Sequence, residues 1–346
     1  MASCDAYTPE LVNNLQGYSS IVAGHVAASP GVAYLELARP QRHNAFHEEL
    51  WIEFPRALQQ LDAHPDTRVI VVSGQGKNFC AGIDVGYLQR NFAALATAAA
   101  ATAAAPAGRT GAGAAAPAGP RAADAGGAGC PGAQRAAMRR NILSLQDAYS
   151  ELERCRSPVV AAVHGRCIGG GVDLITACDL RICSDDATFC VKEVDLAIAA
   201  DLGTLQRLPH IVGHGAAMDL ALTARTMGAP EAQRIGLVST VVAASASGET
   251  DGTGGGGGGG RGAVVAAALR LAAALASKPQ LAVQGTKRVL LHARDQPRVS
   301  DGLDYVATWN SAQLLTADLA RLISGGSGSG SGSGGARPGL AARSRM

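Results

Sequence analysis

The sequence predicts an α/β fold, in which helices pack on a sheet with parallel strands. Residues 69–73 (VIVVS) and 159–163 (VVAAV) are short and almost wholly apolar, as strands buried on both faces of a parallel sheet are. Apolar residues recur at helical spacing through 46–63 and 135–153, so an amphipathic helix precedes each of these strands. This alternation of helices and buried strands indicates one large α/β domain.

The N-terminal elements follow from local patterns. Residues 20–38 alternate between apolar and polar side chains and predict a strand or a hairpin. The helix over 46–63 contains Pro55, where we expect a kink or a break because proline lacks a backbone N–H. After the strand that follows, the Gly-rich loop GQGKNFCAGIDVGYL leads to a helix that begins near Asp84 or Val85.

Three stretches are too poor in large apolar residues to fold, namely 93–134, 243–262 and the Gly- and Ser-rich tail at 325–346. We therefore expect two disordered insertions and a flexible tail. The predicted core spans 15–262, and a C-terminal helical region spans 263–324.

The remaining elements follow from the same signals. The segment HGRCIGGG predicts a turn that leads into a helix. Pro230 suits the start of a helix and Gly236 suits its end. In chain order we expect a helix at 171–178, strands at 179–184 and 188–191, helices at 203–212 and 215–226, the helix between Pro230 and Gly236, a strand at 237–242, and helices at 263–277, 279–293 and, as one or two, 300–324.

Charge and cysteine content limit the classes of function. The 30 Lys and Arg residues nearly balance the 28 Asp and Glu residues, which argues against a nucleic-acid binder with a broad basic face. The 8 cysteines show neither CxxC pairs nor metal-finger spacing, so free thiols in a reducing compartment and no metal site are expected. A long uninterrupted apolar run and a secretory leader pattern are both missing, so neither membrane spanning nor secretion is expected.

A triple glycine follows the buried strand at 159–163. The N–H groups of Gly169, Gly170 and Gly171 can point outward at the positive end of a helix, which suits an anion or an oxyanion. A tight turn alone would also explain three glycines. The loop FCAGID repeats the arrangement and adds the Ile83 N–H, and two donors from separate loops are what an oxyanion hole requires.

Three carboxylates accompany this turn. Asp173 lies one helical turn beyond Gly170, and Glu193 and Asp201 stand among Val, Leu, Ile and Ala. Burial and mutual repulsion would raise the pKa values of such carboxyl groups into the range useful for acid and base catalysis. As an alternative, Asp201 could be only the N-cap of the helix that begins near Gly203.

One alternative chemistry is weaker. His164 and Cys167 flank the glycine turn and could form a nucleophilic pair, but neither has an obvious orienting partner. No spacing typical of metal ligands is visible. The carboxylates are therefore the leading catalytic candidates.

These motifs resemble the enoyl-CoA hydratase/isomerase (crotonase) superfamily. The similarity extends over ARPQRHNAF, FCAGIDV, HGRCIGGGVDLITACDLRI, VKEVDLAIAADLGTLQRLP and SKPQLAVQGTKRVLL. The trio Asp173, Glu193 and Asp201 resembles the branch that isomerises 3,5-dienoyl-CoA to 2,4-dienoyl-CoA in fatty-acid β-oxidation. The resemblance implies a crotonase-like spiral of ββα units, with C-terminal helices that mediate trimers, often paired into hexamers.

The resemblance also implies roles for individual residues. Ile83 and Gly170 would donate the oxyanion-hole hydrogen bonds to the thioester carbonyl of a bound acyl-CoA. The CoA thioester is part of the substrate, so no further cofactor is expected. The candidate CoA-binding residues are Arg39, Cys80, Ala81, Gly82 and Lys287, of which Arg39 and Lys287 would contact phosphate.

The implied mechanism is a proton shuttle. Glu193 removes a proton from C2 of the thioester to give a dienolate, and Asp201 delivers a proton to C6, or the two exchange roles. Asp173 tunes or orients the pair, and hydratases of the superfamily have Glu where Asp173 stands. Hydration of 2-enoyl-CoA is the alternative function. A crotonase-like protein that binds acyl-CoA or RNA without catalysis is the second alternative.

The last three residues, Ser344-Arg345-Met346, resemble a C-terminal peroxisomal address, and a flexible tail would present it. So short a motif also occurs by chance. The sequence therefore predicts a peroxisomal location, with a mitochondrial one as the alternative.

Overall fold

The computed structural model describes residues 8–90, 131–243, 259–313 and 316–323. Its strands are β1 (Leu11–Val12), β2 (Ile21–Val26), β3 (Val32–Leu37), β4 (Val69–Gly74), β5 (Val159–Val163), β6 (Arg166–Ile168), β7 (Leu180–Ser184), β8 (Thr188–Cys190), β9 (Met227–Gly228) and β10 (Thr240–Val242). A seven-stranded sheet has the order β1-β2-β3-β4-β5-β7-β10, and a three-stranded sheet has the order β6-β8-β9. From β3 to β10 the larger sheet is parallel. The α/β class is therefore confirmed.

The helices are α1 (Glu48–Ala63), α2 (85–90), α3 (Pro131–Arg154), α4 (Gly170–Ala177), α5 (Thr204–Val212), α6 (His214–Thr223), α7 (Ala229–Arg234), α8 (Gly259–Ala276), α9 (Gln280–Asp295), α10 (Val299–Gln313) and α11 (Ala317–Ile323). Two 3-10 helices, Pro40–Arg42 and Glu193–Leu196, interrupt the loops. Helices α10 and α11 belong to a separate unit that begins at Arg298. They lie in the segment 300–324, for which one or two helices were expected.

The predicted C-terminal boundaries of the two disordered insertions are wrong. Residues 131–134 are the first turn of α3, and 259–262 are the first turn of α8. Both helices start earlier than the hydrophobic pattern indicates because alanine and glycine give no periodic signal, although alanine itself favours a helix. The rest of both insertions, and the predicted flexible tail at 325–346, lie outside the described residues.

Helix α1 is not broken at Pro55. It runs without interruption from Glu48 to Ala63, although proline removes one helical hydrogen bond. The side chains of Phe54, Leu58 and Leu61 on one face of this helix are fully buried in the core. Their burial offsets the lost bond, because each large apolar side chain contributes about 1.5–3 kcal/mol when it leaves water. The expected break at Pro55 is therefore wrong.

The larger sheet carries a layer of helices on each face. On one face α1, α3 and α4 enclose a core that includes Phe46, Phe54 and Tyr149. On the other face α8 packs Val264, Val265 and further small side chains against the strands. The predicted start of the C-terminal helical region at residue 263 thus falls inside a helix that belongs to the same compact unit as the sheet.

Two further features concern the helices and the glycine turn. Among the described residues no single helix is long and apolar enough to cross a membrane, whereas α8 and α9 pass this test only as a pair, bent by 108°.

The segment HGRCIGGG is more than a turn, because residues 166–168 in it form β6 and pair with β8. The expectation of a simple turn is wrong because a three-residue strand is defined by its partner and not by any local period.

Candidate active site

Two loops meet beside the smaller sheet and carry the predicted oxyanion donors. Cys80 pairs with Cys167 as a parallel bridge, and Ile83 pairs in the same way with Phe46. These pairings use the N–H groups of Cys80 and Phe46 and leave the N–H of Ile83 pointing away from Phe46. Within the described part of the chain, none of the hydrogen bonds uses the N–H of Ile83 or that of Gly170. Both donors are therefore free to bind a ligand.

The close approach of two glycines brings these donors together. A Cβ atom added to Gly82 would lie 3.1 Å from the Gly170 nitrogen and 2.8 Å from the Ile168 carbonyl oxygen. A Cβ atom added to Gly170 would lie 3.5 Å from the Gly82 carbonyl carbon, which is bonded to the Ile83 nitrogen. The backbone at Gly82 also has a φ of +90°, which glycine adopts without strain. The geometry therefore supports the predicted oxyanion hole formed by Ile83 and Gly170.

Asn44 holds the first of these loops in place, and sequence reasoning assigned it no role. Its fully buried side chain places Nδ2 within 2.9 to 3.1 Å of the carbonyl oxygens of Gln75, Asn78 and Phe79. Its Oδ1 accepts a hydrogen bond of 2.9 Å from the Arg39 N–H. One amide thus fixes the path of the chain just before Ile83. The available signal was its position inside the motif ARPQRHNAF.

Asp173 is a buried carboxylate that caps a distant helix. It lies in the first turn of α4, is 1% exposed, and accepts a hydrogen bond of 2.6 Å from the Thr204 N–H at the start of α5. Burial raises the pKa of Asp173 to about 6, and the charge of Asp201 adds to this, while the hydrogen bonds at Thr204 oppose it. Asp173 therefore fixes the start of α5, immediately after the segment that carries Asp201.

Glu193 is a buried carboxylate that faces the glycine turn. It begins the 3-10 helix Glu193–Leu196 and is 8% exposed, and within the described residues its Oε2 atom has no hydrogen-bond partner. A Cβ atom on Gly169 would lie 3.1 Å from its Oε1 atom, so the carboxylate faces the glycine turn. Burial, together with the charges of Asp173 and Asp201, raises the pKa of Glu193 to about 7. Such a group suits a general base near neutral pH.

Asp201 lies on the loop between that 3-10 helix and α5, and its side chain is only partly buried. Burial raises its pKa, and its own backbone N–H opposes the shift. Its carbonyl oxygen accepts a hydrogen bond of 2.6 Å from Gln146 of α3, which anchors the loop. The alternative that Asp201 is the N-cap of α5 is wrong, because Gly203 occupies the cap position and Asp173 binds the first N–H.

We expect Asp173→Asn to shift the pH dependence of activity without unfolding the site. The Asn side chain retains an oxygen that can accept from Thr204, whereas the charge that raises the pKa of Glu193 is lost. The acidic limb of kcat/KM, expected near pH 7 in the wild type, should therefore move to lower pH. The limb should not return to the pKa of an ordinary Glu, because burial contributes more than Asp173 to the raised pKa of Glu193 and is unchanged in the variant.

The control for this experiment is Asp195→Asn. Asp195 lies in the same 3-10 helix as Glu193, but it is exposed and paired with Lys192. Its replacement should leave the acidic limb where it is. An unchanged limb in Asp173→Asn would contradict the electrostatic coupling of Asp173 to Glu193.

His164 and Cys167 do not form a nucleophilic pair. The ring of His164 is buried and its Nε2 atom bonds to the Gly76 carbonyl oxygen at 2.9 Å, while burial lowers its pKa to about 4. Burial raises the pKa of the Cys167 thiol well above its usual value, which disfavours the thiolate. All described cysteines are free and buried, as expected of structural thiols. The alternative of thiol catalysis is therefore wrong.

The predicted CoA contacts divide into two groups. Cys80, Ala81 and Gly82 lie on the loop that precedes Ile83, and Arg39 lies 3.6 Å from Asp84 at the end of that loop. Lys287 is different, because its buried ammonium group donates to the Leu152 and Ser157 carbonyl oxygens and pairs with Asp179 at 2.8 Å. The structure does not support Lys287 as a phosphate contact. Its ammonium group would have to leave these partners to reach a phosphate, and breaking a buried ion pair is costly.

The site combines two backbone N–H donors with buried carboxylates. Two free N–H groups can stabilise negative charge on a carbonyl oxygen, and Glu193 can accept a proton near neutral pH. Within residues 8–90, 131–243, 259–313 and 316–323, no cluster of three or more His, Cys, Asp or Glu side chains could hold a metal ion. The arrangement suits proton transfer next to a carbonyl group.

Comparison with known proteins identifies similar sequences and folds. The family model described as enoyl-CoA hydratase/isomerase matches residues 27–104 and 124–249. A peroxisomal Δ3,5-Δ2,4-dienoyl-CoA isomerase of Arabidopsis thaliana is 42% identical over 90% of this chain and 95% of its own length. A mitochondrial protein of the same name from Homo sapiens is 38% identical over 86% of this chain and 76% of its own length.

Solved structures share the fold. An enoyl-CoA hydratase from Bacillus anthracis superposes with a TM-score of 0.66 at 24% identity, covering 88% of this chain and 95% of its own. A protein from Thermobifida fusca, described as a candidate enoyl-CoA hydratase in complex with CoA, gives a TM-score of 0.63 at 29% identity over 87% of this chain and 95% of its own. The crotonase-like architecture expected from the motifs is thereby confirmed.

Proposed function

The chain belongs to the enoyl-CoA hydratase/isomerase family, and on that premise we propose that it isomerises 3,5-dienoyl-CoA to 2,4-dienoyl-CoA in fatty-acid β-oxidation. The observation that carries the proposal is the pairing of two free N–H donors, at Ile83 and Gly170, with the buried carboxylates of Asp173 and Glu193. The name shared by the Arabidopsis and human relatives supports the same reaction.

The reaction moves one proton and two double bonds. The oxyanion hole polarises the thioester carbonyl, which acidifies the C2–H bond. Glu193 takes the C2 proton, and the electron pair of that bond spreads over the oxygen, C2, C4 and C6 as a dienolate. Asp201 gives a proton to C6, which leaves double bonds at C2–C3 and C4–C5. Substrate and product have the same atoms and oxidation level, so no oxidant, reductant or cofactor is required.

The environments of the two carboxyl groups fit these roles. Glu193 faces the glycine turn next to the oxyanion hole, where C2 of a bound thioester would lie. Asp201 is partly exposed, so it can recover its proton from solvent after each turnover while Glu193 releases the one it took. Asp173 accepts a hydrogen bond at the start of α5, and its charge raises the pKa of Glu193. This division of roles makes Asp173 a positioning and tuning residue.

Isomerisation is tested by incubating the purified protein with 3,5-dienoyl-CoA and following ultraviolet absorbance. We expect a band of the extended conjugated system to grow as the 2,4-isomer forms. If the substrate stays unchanged while 2-enoyl-CoA is hydrated, the hydratase alternative replaces this proposal. If neither changes but acyl-CoA binds, the chain is a binding protein without catalysis.

We propose a peroxisomal location, which the name of the Arabidopsis relative supports. Ser344-Arg345-Met346 lies outside the described residues and would act as a peroxisomal address, and relatives named peroxisomal and mitochondrial both occur. A reporter fused to residues 336–346 should enter peroxisomes, and the same reporter without Met346 should not. Assembly into trimers or hexamers stays a prediction.

A further inference from the structure

Tyr149 is a buried phenol that the proposed shuttle does not use. It lies in the last two turns of α3 with no exposed surface. Its hydroxyl has no hydrogen-bond partner among the residues that the structure describes. A buried hydroxyl without a partner costs about 1–3 kcal/mol, so its retention calls for a physical reason.

The hydroxyl lies at the oxyanion hole. Its oxygen would be 3.1 Å from a Cβ atom added to Gly170, and that same position is 3.5 Å from the carbonyl carbon and the Cα atom of Gly82. The next atom after the Gly82 carbonyl carbon is the Ile83 nitrogen, which is the second predicted donor. The Tyr149 hydroxyl thus lies against Gly170, on the side where the Gly82 backbone approaches.

The ring of Tyr149 is held rigidly on its other sides. Phe46, Trp51 and Phe54 surround it, with ring centroids 5.2, 5.0 and 6.3 Å away. Such tilted and edge-to-face contacts fix the ring plane and direct the hydroxyl towards the glycines. Burial and the nearby charges of Asp173 and Glu193 raise the pKa of Tyr149 well above its usual value. The phenol therefore stays protonated and acts as a donor.

We propose that the Tyr149 hydroxyl donates a third hydrogen bond to the thioester oxygen of the bound acyl-CoA. This inference rests on the proposed function, in which that oxygen lies between Ile83 and Gly170. The acyl chain of a dienoyl-CoA is hydrocarbon, so the thioester oxygen is the acceptor that the substrate brings to this point. The bond strengthens as negative charge develops on the oxygen, and it therefore favours the dienolate over the ground state.

The test is Tyr149→Phe, which removes one oxygen and keeps the ring contacts. We expect kcat for isomerisation to fall by about 10- to 100-fold with little change in KM, because the lost bond is strongest in the dienolate. The infrared stretch of a carbonyl-labelled 2,4-dienoyl-CoA bound to the protein should also move to higher frequency in the variant. A purely structural role of Tyr149 would not move that frequency.

The matched control is Tyr34→Phe. Tyr34 is also fully buried, but its hydroxyl donates at 2.8 Å to Glu36, which forms an ion pair with Arg261. Its replacement should leave both kcat and the carbonyl frequency unchanged. Unchanged frequency in Tyr149→Phe would overturn the inference, whether or not kcat falls. If the wild type binds acyl-CoA but does not isomerise it, the proposed function fails, and the frequency still decides the role of Tyr149.

Discussion

Glu193→Gln is expected to lower kcat for isomerisation by about 10³-fold, within the range that general base catalysis contributes. The glutamine amide has nearly the same shape as the carboxylate but cannot accept the C2 proton. The carboxylate makes no described hydrogen bond through Oε2, so its replacement disturbs no partner there. Acyl-CoA affinity should therefore change little. Steady-state kinetics with a direct binding measurement separates the two effects.

The same variant should be more stable at high pH. The pKa of Glu193 is about 7 in the folded state, which is higher than in the unfolded chain. The folded state therefore holds this proton more tightly, and the resulting stability is fully present at a pH below the pKa of an unfolded Glu. That contribution is lost as the pH rises through 7. At pH about 8 the free energy of unfolding of the glutamine variant should exceed that of the wild type by an amount on the order of 1 kcal/mol. Thermal unfolding at this pH should show a higher midpoint for the variant. A variant that keeps full activity would remove Glu193 from the shuttle.

Gly82→Ala is expected to lower kcat/KM by about 10²- to 10³-fold, the cost of losing one oxyanion donor. The added methyl group would meet the Ile168 carbonyl oxygen at 2.8 Å and the Gly170 nitrogen at 3.1 Å. The first contact forces the loop to shift, and the second crowds the nitrogen of the other donor. Kinetics with 3,5-dienoyl-CoA, together with the carbonyl stretch of bound product, measures the loss of polarisation.

Gly17→Ala separates backbone strain from contact with the site. Gly17 has a φ of +83°, close to the +90° of Gly82, but a Cβ atom there would meet nothing within 4 Å. This variant should lose some stability and keep its kcat/KM. Equal losses of activity in both variants would mean that strain, and not the oxyanion hole, explains the effect at Gly82.

The elements that could be predicted from the sequence are those with a strong local pattern. The apolar run at 69–73 became β4 and that at 159–163 became β5, because strands buried on both faces need no partner to be recognised. The helical face of α3 predicted from Leu145 and Leu152 includes Tyr149 by spacing, so its burial was foreseeable. What its hydroxyl meets was not, because that depends on how α4 packs against α3.

The parts of the site that escaped prediction depend on contacts between distant residues. Asp173 caps a helix that begins 31 residues later, and no local pattern relates the two. Lys287 stands in a motif that resembles a CoA contact, but its ammonium group is buried against carbonyl oxygens more than 100 residues earlier in the chain. The residue types at the catalytic positions were readable, whereas their partners required the tertiary structure.

Deuterium exchange tests the central claim, that Glu193 acts at C2 and Asp201 at C6, most directly. Each variant is incubated with 3,5-dienoyl-CoA in heavy water, and deuterium is located by NMR. Asp201→Asn should exchange the C2 hydrogens without forming the 2,4-isomer, because the base is intact and the C6 donor is lost. Glu193→Gln should do neither. Loss of C2 exchange in Asp201→Asn, with exchange retained in Glu193→Gln, would contradict this assignment.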